Sequence, residues 1–254
     1  MVKIPKKGDL SKCDNYRDIT LLSIPGKAFN RVLLNRMKDC VDAQLRDQQA
    51  GFRKDRSCGD QIAALRIIVK QPIEWNSSLY INFIDYKKAF DSVDITTLWK
   101  LLGHYGVPQK IVTNIQNSCD GLNCKIVHGE ESTKSFEVKT GVSQGCLLSP
   151  FLFLLVIDWI MKTSTSEGKR GIQWTARMQL NDLDFADDLA LLSHTQQQTQ
   201  KTTSVAAASA AVGLSIHKGK SRILRYNRAC TNPITIDGED LEDVKTFRYL
   251  GSII

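Results

Sequence analysis

The stretch LNDLDFADDLALLS, Leu180 to Ser193, alternates apolar residues at Leu183, Phe185, Leu189 and Leu191 and interrupts them with the adjacent acids Asp187 and Asp188. Period-two alternation reads as half-buried strand, and Ala-Asp-Asp between two such runs reads as a turn. A hairpin with two carboxylates at its tip is the simplest fold for these residues. A second strand also ends in an acid: SLYINFIDYKKAFDSVD alternates Leu79, Ile81 and Phe83, then changes to helical spacing after Asp85. Asp85 thus sits where a core strand ends, and that strand can lie beside the hairpin. Clustered carboxylates repel one another unless a cation holds them. Mg²⁺ favours a few carboxylates together with substrate phosphates and water, and two such ions about 3.5–4 Å apart suit in-line phosphoryl displacement. Asp-Asp is also a common turn dipeptide, so spacing alone leaves a metal site and a solvated turn both open.

The rest of the chain bounds the setting. Its 254 residues, 42% hydrophobic and 24% charged, can bury a full core. The formal net charge is +7, and residues 1–60 carry 13 Lys/Arg against 8 Asp and no Glu. A basic amino-terminal region suits a polyanionic partner, although a solvated basic face would look the same. The seven cysteines form no Cys-x-x-Cys pair and read as reduced thiols of an intracellular protein. The start, MVKIPKKGDLSK, has no apolar signal core. The greasy run LLSPFLFLLVIDWIM is interrupted by Ser149, Pro150 and Asp158, too short to span a bilayer, and reads as a buried helix beginning near Pro150.

Apolar spacing of three to four predicts helices in GKAFNRVLLNRMKDCVDAQL, DQIAALRIIVKQPIEW and TTLWKLLGHYGVP. Ala and Gln at helical spacing before Gly213 predict another, while RDQQAGFRKDRSCG reads as a loop. CKIVHGEESTKSFEVKTGVSQG reads as a strand, a turn near Gly129 and a second strand; ITIDGEDLEDVKTFRYLGSII reads as strands around Asp237-Gly238. The sum is a mixed α+β chain.

FIDYKKAFDSVD, GVSQGCLLSPFLF and FADD, in that order, resemble conserved blocks of reverse transcriptases of LINE-type (non-long-terminal-repeat) retrotransposons. IPKKGD, NYRDITLLS, QAGFRKDRS, GLSIHKGKSR and FRYLGSI extend the resemblance over nearly the whole chain. It implies Asp85 and Asp187 as the principal metal-binding aspartates and Asp188 as the third acidic member. Phe90 stands where the family's aromatic excludes a ribose 2′-hydroxyl. Gln144 and Gly145 match the nucleotide pocket, with Gly141 a second glycine of close backbone approach. Arg17, with Lys6 as a second contact, matches the triphosphate grip; Arg53 and Arg56 are candidates for template backbone or plain surface charge. Lys220 matches a lysine that protonates the pyrophosphate leaving group. Phe247, Tyr249, Leu250 and Gly251 match the primer-grip hairpin. Two positions depart from the pattern: Asp18 follows Arg17 where a small residue or Pro is usual, and His217 stands where Asn is common.

The resemblance implies an α+β right-hand polymerase fold with an antiparallel palm sheet backed by helices. Fingers are expected at about 1–78 and 104–140, palm at about 79–103 and 141–230, and the start of the primer-grip hairpin at about 231–254. It implies an RNA-directed DNA polymerase using two Mg²⁺, with Mn²⁺ an alternative, an RNA template, a DNA primer and deoxynucleoside triphosphates. No membrane is implied, residence is expected in nucleus or cytoplasm, and oligomeric state is left open. With no thumb following and no endonuclease preceding, the chain is expected to be a fragment. The alternative is a truncated, catalytically silent remnant that at most binds nucleic acid; an RNA-dependent RNA polymerase is disfavoured by Phe90.

Overall fold

The computed structural model describes residues 1–6, 8–12, 15–128, 131–138, 140–165, 171–175, 178–195, 198–227, 233–236 and 238–254. The expected turn residue Gly129, as well as Asp237 and two of the cysteines, Cys13 and Cys230, lie outside them. The chain forms two compact units, residues 1–44 with 90–155 and residues 45–89 with 156–254.

In the first unit, Val2–Pro5 pairs antiparallel with Tyr16–Ile19 and parallel with Val127–His128, which pairs with Glu131–Ser132. The single hairpin expected over residues 124–145 is instead two short pairings, since Asn123–Cys124 meets Phe136–Glu137 separately. Ile24–Asp42 is a helix capped by Ser23, whose hydroxyl accepts from the Gly26 N–H, with Pro25 in the first turn where no amide partner is needed. It buries Leu33, Met37 and Val41. Ile95–His104 is capped by Asp94, whose carboxylate accepts from the Thr97 N–H at 2.7 Å. The greasy run forms the helix Ser149–Thr165, which starts in the first unit and continues into the second.

The second unit is built on a five-stranded sheet in the order Asp182–Phe185, Asp188–Ser193, Leu79–Ile84, Arg222–Tyr226, Glu242–Val244. The first four strands pair antiparallel as expected, but the sheet is mixed, because Glu242–Val244 returns parallel to Arg222–Tyr226 after the chain has turned through a separate small hairpin. Leu79, Ile81 and Phe83 face one side, packed in a cluster with Leu65 and Ile68 of the helix Cys58–Trp75. On the other face Asn82 donates to Thr202 of the helix Gln198–Ala210 at 2.5 Å. Leu189, Ala190, Leu191 and Leu192 are therefore all buried, rather than alternately exposed as a half-buried strand would be. The helix Cys58–Trp75 starts ahead of its apolar pattern because Ser57 and Asp60 form a reciprocal capping box, and it ends at Asn76 in the left-handed conformation.

Candidate active site

The strand pairing brings the predicted acids together. Leu189 lies opposite Ile84, and Phe185 opposite Asp188. Asp85, one residue past Ile84, therefore stands beside the hairpin tip formed by Ala186 and Asp187. Asp85 is held from behind: its N–H donates to the Ser221 hydroxyl at 3.1 Å and its carbonyl accepts from the His217 N–H at 2.7 Å. The turn of His217 is intact, since its carbonyl accepts from the N–H groups of Lys220 and Ser221 at 3.0 and 2.9 Å. The departure from Asn thus leaves the turn formed. That turn sets Lys220 Nζ 3.6 Å from Asp85 Oδ2, with the lysine side chain 66% exposed.

Asp85 Oδ2 is buried and accepts no hydrogen bond among the described residues. Asp188 is open to solvent on one side, yet the protein packed on its other side, followed by the like charges of Asp187 and Asp85, pushes its carboxyl up to about 6. Among the described residues no group of three or more acidic, histidine or cysteine side chains is placed to hold a metal ion. The donor set still fits a hard divalent cation, because Mg²⁺ takes few protein carboxylates and completes its shell with water and substrate phosphates. Asp85 and Asp188 border a cleft of about 400 Å³ that also meets Lys220, Arg222, Phe247 and Arg248.

Phe247, Tyr249, Leu250 and Gly251 form one hairpin against this cleft. Arg248–Tyr249 pairs with Ser252–Ile253, and Leu250 and Gly251 both have positive φ (49° and 84°), as a tight hairpin turn of the right twist requires. Phe247 stacks on Phe83 at 4.1 Å, and Tyr249 is buried with its hydroxyl donating to the Leu183 carbonyl at 3.2 Å. Tyr249 and Phe247 therefore dock the hairpin on the core beneath the carboxylate strands.

The nucleotide-binding candidates lie in the first unit. Arg17 pairs with Ile4 and Asp18 with Lys3 across the strands, so Arg17 and Asp18 point to opposite faces. The anion next to the expected phosphate grip is turned away from it. Lys6 continues the ladder, its N–H donating to the Asn15 carbonyl at 2.7 Å, and shares the Arg17 face two residues beyond Ile4. Phe90 is half-buried and stacks on Phe153 at 4.4 Å, which fixes its ring. The Gln144 carbonyl accepts from the Thr20 N–H at 2.6 Å. Gly145, at φ +92°, has no room for a side chain: a Cβ would fall 2.6 Å from the Thr20 carbonyl oxygen, and at Gly141 one would fall 2.5 Å from that of Asp91. The close approaches these glycines make are to the protein's own backbone.

Arg53 and Arg56 serve the loop they belong to. Arg53 donates to the carbonyls of Arg46 and Gln49 at 2.7 and 3.2 Å, and Arg56 pairs with Asp47 at 3.0 Å.

Sequence reasoning missed a second acidic cluster, formed by Asp182 and Asp184 on the first strand of the hairpin and Asp158 on the helix Ser149–Thr165. Asp158, Asp182 and Asp184 have fully buried side chains, and all three converge on Arg46: Nε lies 3.4 Å from Asp158, Nη1 is 2.8 Å from Asp182, and Nη2 contacts Asp184. Lys162 adds a contact to Asp158 at 2.8 Å. Burial alone would depress the guanidinium, but Asp184, Asp182 and Asp158 together raise it further still, so it remains charged. Burial, and then the neighbouring Asp182, push the Asp184 carboxyl up, with Arg46 opposing. The signal available in the sequence was Asp182 and Asp184 at spacing two, on one face of an apolar strand.

Comparison with known proteins supplies the class. The model of the reverse transcriptase (RNA-dependent DNA polymerase) family matches residues 4–254. The chain belongs to the reverse transcriptase family. It is 31% identical over 201 residues to the Pol polyprotein of the type-2 retrotransposable element R2DM of Drosophila melanogaster, covering 78% of this chain and 18% of that protein. It is 28% identical to the R2 polyprotein of Popillia japonica, over 98% of this chain and 36% of the relative. The RNA-directed DNA polymerase from mobile element jockey of Drosophila funebris is 25% identical over the whole chain, which spans 28% of that protein. The chain thus spans about a fifth to a third of these relatives, all from non-long-terminal-repeat retrotransposons. Among solved structures, the apo telomerase of Candida tropicalis truncated from its C-terminal domain superposes with a TM-score of 0.56 at 15% identity, over 84% of this chain and 42% of that one. The fold is that of a right-hand polymerase. Reverse transcriptases as a family generally depend on divalent metal. Among the described residues no helix is long and apolar enough to cross a membrane.

Proposed function

We propose that this chain is an RNA-directed DNA polymerase that adds deoxynucleotides to a primer 3′-hydroxyl on an RNA template. The observation that carries the reading is the convergence of Asp85, Asp187 and Asp188 at one end of the central sheet, with Asp85 Oδ2 buried and accepting no hydrogen bond among the described residues, and Asp188 resisting ionisation through burial and the charges of its neighbours. These carboxylates would hold two Mg²⁺, or Mn²⁺, which would supply charge neutralisation at the triphosphate and activation of the attacking hydroxyl. Phosphoryl transfer asks for positioning and electrostatics rather than covalent help. Lys220, whose Nζ lies 3.6 Å from Asp85 Oδ2, would give a proton to the departing pyrophosphate. The Phe247–Gly251 hairpin would hold the primer end. In the first unit, Arg17 and Lys6 would grip the triphosphate, because a guanidinium fork suits phosphate oxygens. The ring of Phe90, fixed by Phe153, would exclude a ribose 2′-hydroxyl by clash. Gln144 and Gly145 would border the nucleotide.

In this reading residues of about 1–78 and 104–140 serve as fingers, about 79–103 and 141–230 as palm, and about 231–254 as the start of the primer grip. Five free cysteines among the described residues support residence in a reducing compartment, nucleus or cytoplasm. Template affinity would be largely electrostatic and fall with salt.

Primer extension on an RNA template with Mg²⁺ and deoxynucleotides at low salt, comparing wild type with Asp187→Asn, tests the reading. Extension by wild type alone supports it. Equal extension by both removes the metal assignment, and silence from a folded wild type leaves the chain a nucleic-acid-binding remnant.

A further inference from the structure

The hairpin carrying Asp187 and Asp188 turns through a residue that resists turning. Ala186 has φ +57°, the left-handed region that crowds any residue with a Cβ, and it is buried, so its backbone polar groups need protein partners. Gln49, itself fully buried, supplies them. Its Oε1 accepts from the Ala186 N–H at 3.0 Å and from the Gly51 N–H at 2.8 Å, while its Nε2 donates to the Ala186 carbonyl at 3.4 Å. One side-chain amide thus meets both backbone groups of the turn residue, as a paired strand would. The neighbouring backbone keeps the amide in place: Ala50 N–H donates to the Asp184 carbonyl at 2.9 Å, and Asp184 N–H to the Gln48 carbonyl at 3.3 Å. Contact is close enough that a Cβ on Gly51 would lie 2.3 Å from the Ala186 nitrogen.

We infer that Gln49 is a positioning residue for the acidic hairpin: its amide holds Ala186 in the left-handed conformation and so fixes where Asp187 and Asp188 present their carboxylates. The inference rests on the metal role proposed above for those two acids. Gln49 lies too deep in the protein to touch a nucleotide and acts only through Ala186. A glutamine that merely satisfied a core amide would affect stability and leave metal binding alone.

The test uses the full chain as wild type, Gln49→Met, Gln49→Asn, Asp187→Asn and the double variant Gln49→Met with Ala186→Gly. Hydrogen exchange of the Ala186 amide is read alongside Mn²⁺ binding. Gln49→Met keeps the side-chain volume but removes both polar atoms. It should speed Ala186 exchange and weaken Mn²⁺ binding, each by about tenfold or more, while thermal unfolding stays cooperative. Ala186→Gly should recover most of the lost Mn²⁺ affinity, because glycine adopts positive φ without a bracket. If Gln49→Met does not fold, Gln49→Asn carries the comparison, since it keeps the amide but withdraws it by one methylene. Unchanged Mn²⁺ affinity in a folded Gln49 variant, with Asp187→Asn clearly impaired, overturns the inference, as does an Ala186 amide that already exchanges freely in wild type. If Asp187→Asn binds Mn²⁺ like wild type, the metal reading fails instead, and the exchange rates alone then decide whether Gln49 sets the turn.

Discussion

Two acidic clusters share one hairpin and do opposite things. Asp182 and Asp184, joined by Asp158, are fully buried and gathered around the Arg46 guanidinium, whereas Asp187 and Asp188, joined by Asp85, stand at the open tip where Lys220 is 3.6 Å from Asp85. Residue type is the same throughout; the difference is what each carboxylate faces. A buried carboxylate is tolerable only when matched, and the inner acids are matched by Arg46 and anchor the hairpin strand, although Asp182 Oδ2 and Asp184 Oδ1 find no hydrogen-bond partner among the described residues. Each cluster holds a carboxyl pushed up first by burial and then by like charge, Asp184 in the inner and Asp188 in the outer, but only the outer cluster is open to solvent, where a divalent cation would relieve the repulsion. The inner cluster already holds a cation of its own, the Arg46 guanidinium.

The largest separation of the two clusters should come from Asp187→Asn in the outer one. Incorporation should fall by about a thousandfold or more, several kcal/mol of lost transition-state stabilisation, with melting temperature and duplex binding retained. Single-turnover extension beside a thermal melt checks it, and a collapse of stability would erase the distinction between the clusters. Arg46→Met in the inner cluster should do the reverse. It leaves buried carboxylates without their partner, a loss of about 3–5 kcal/mol that urea unfolding measures directly. Should Arg46→Met fold as stably as wild type, the inner cluster would not be the hairpin's anchor.

Smaller effects sharpen the contrast. Asp188 has its folded value raised to about 6 from an ordinary 3.8, so its contribution favours folding below about pH 4 and is lost as pH rises through about 6. Asp188→Asn should therefore stabilise the metal-free protein at neutral pH, by about 1 kcal/mol or less because solvent screens its open side. The same variant should weaken Mn²⁺ binding. In wild type that binding should decline as pH falls through about 6, where the returning proton competes with the metal. Titration calorimetry from pH 5 to about 8 reads both. The smallest effect belongs to an acid far from either cluster. Asp94, whose carboxylate is held below its usual range by hydrogen bonds from Thr96 and Thr97, caps a helix in the first unit. Asp94→Ala should cost about 1 kcal/mol by denaturant melt. That contribution is present above about pH 4 in wild type and lost as pH falls, the opposite sign to Asp188.

The open cluster was legible because its parts are local. Alternation in FADDLALLS and at Leu79, Ile81 and Phe83 carries its own register, and a turn between two such runs places its acids at the tip. The inner cluster was legible only by half. Asp182 and Asp184 at spacing two announce carboxylates on one strand face, but the cation that answers them is Arg46, more than a hundred residues earlier in what reads as a polar loop. Gln49 in the same loop gave no sign of meeting Ala186. Asp18 looked like a flaw beside Arg17 until strand pairing showed the two on opposite faces. Gly145 looked like a ligand-facing glycine, and its close neighbour is Thr20.

By itself, the sequence determined most of the helices, though not Gln109–Cys119, together with the acidic hairpin, the strand ending in Asp85 and membership of the reverse transcriptase family, because periodicity, capping and short motifs act over a few residues. Tertiary structure alone decided which acids gather around Arg46 and which stand at the hairpin tip, why residues 189–192 are buried on both faces, and what holds Ala186 in its turn. Those outcomes depend on burial and on partners distant in the chain, and the field at a carboxylate is set by whatever the fold places within a few ångströms of it.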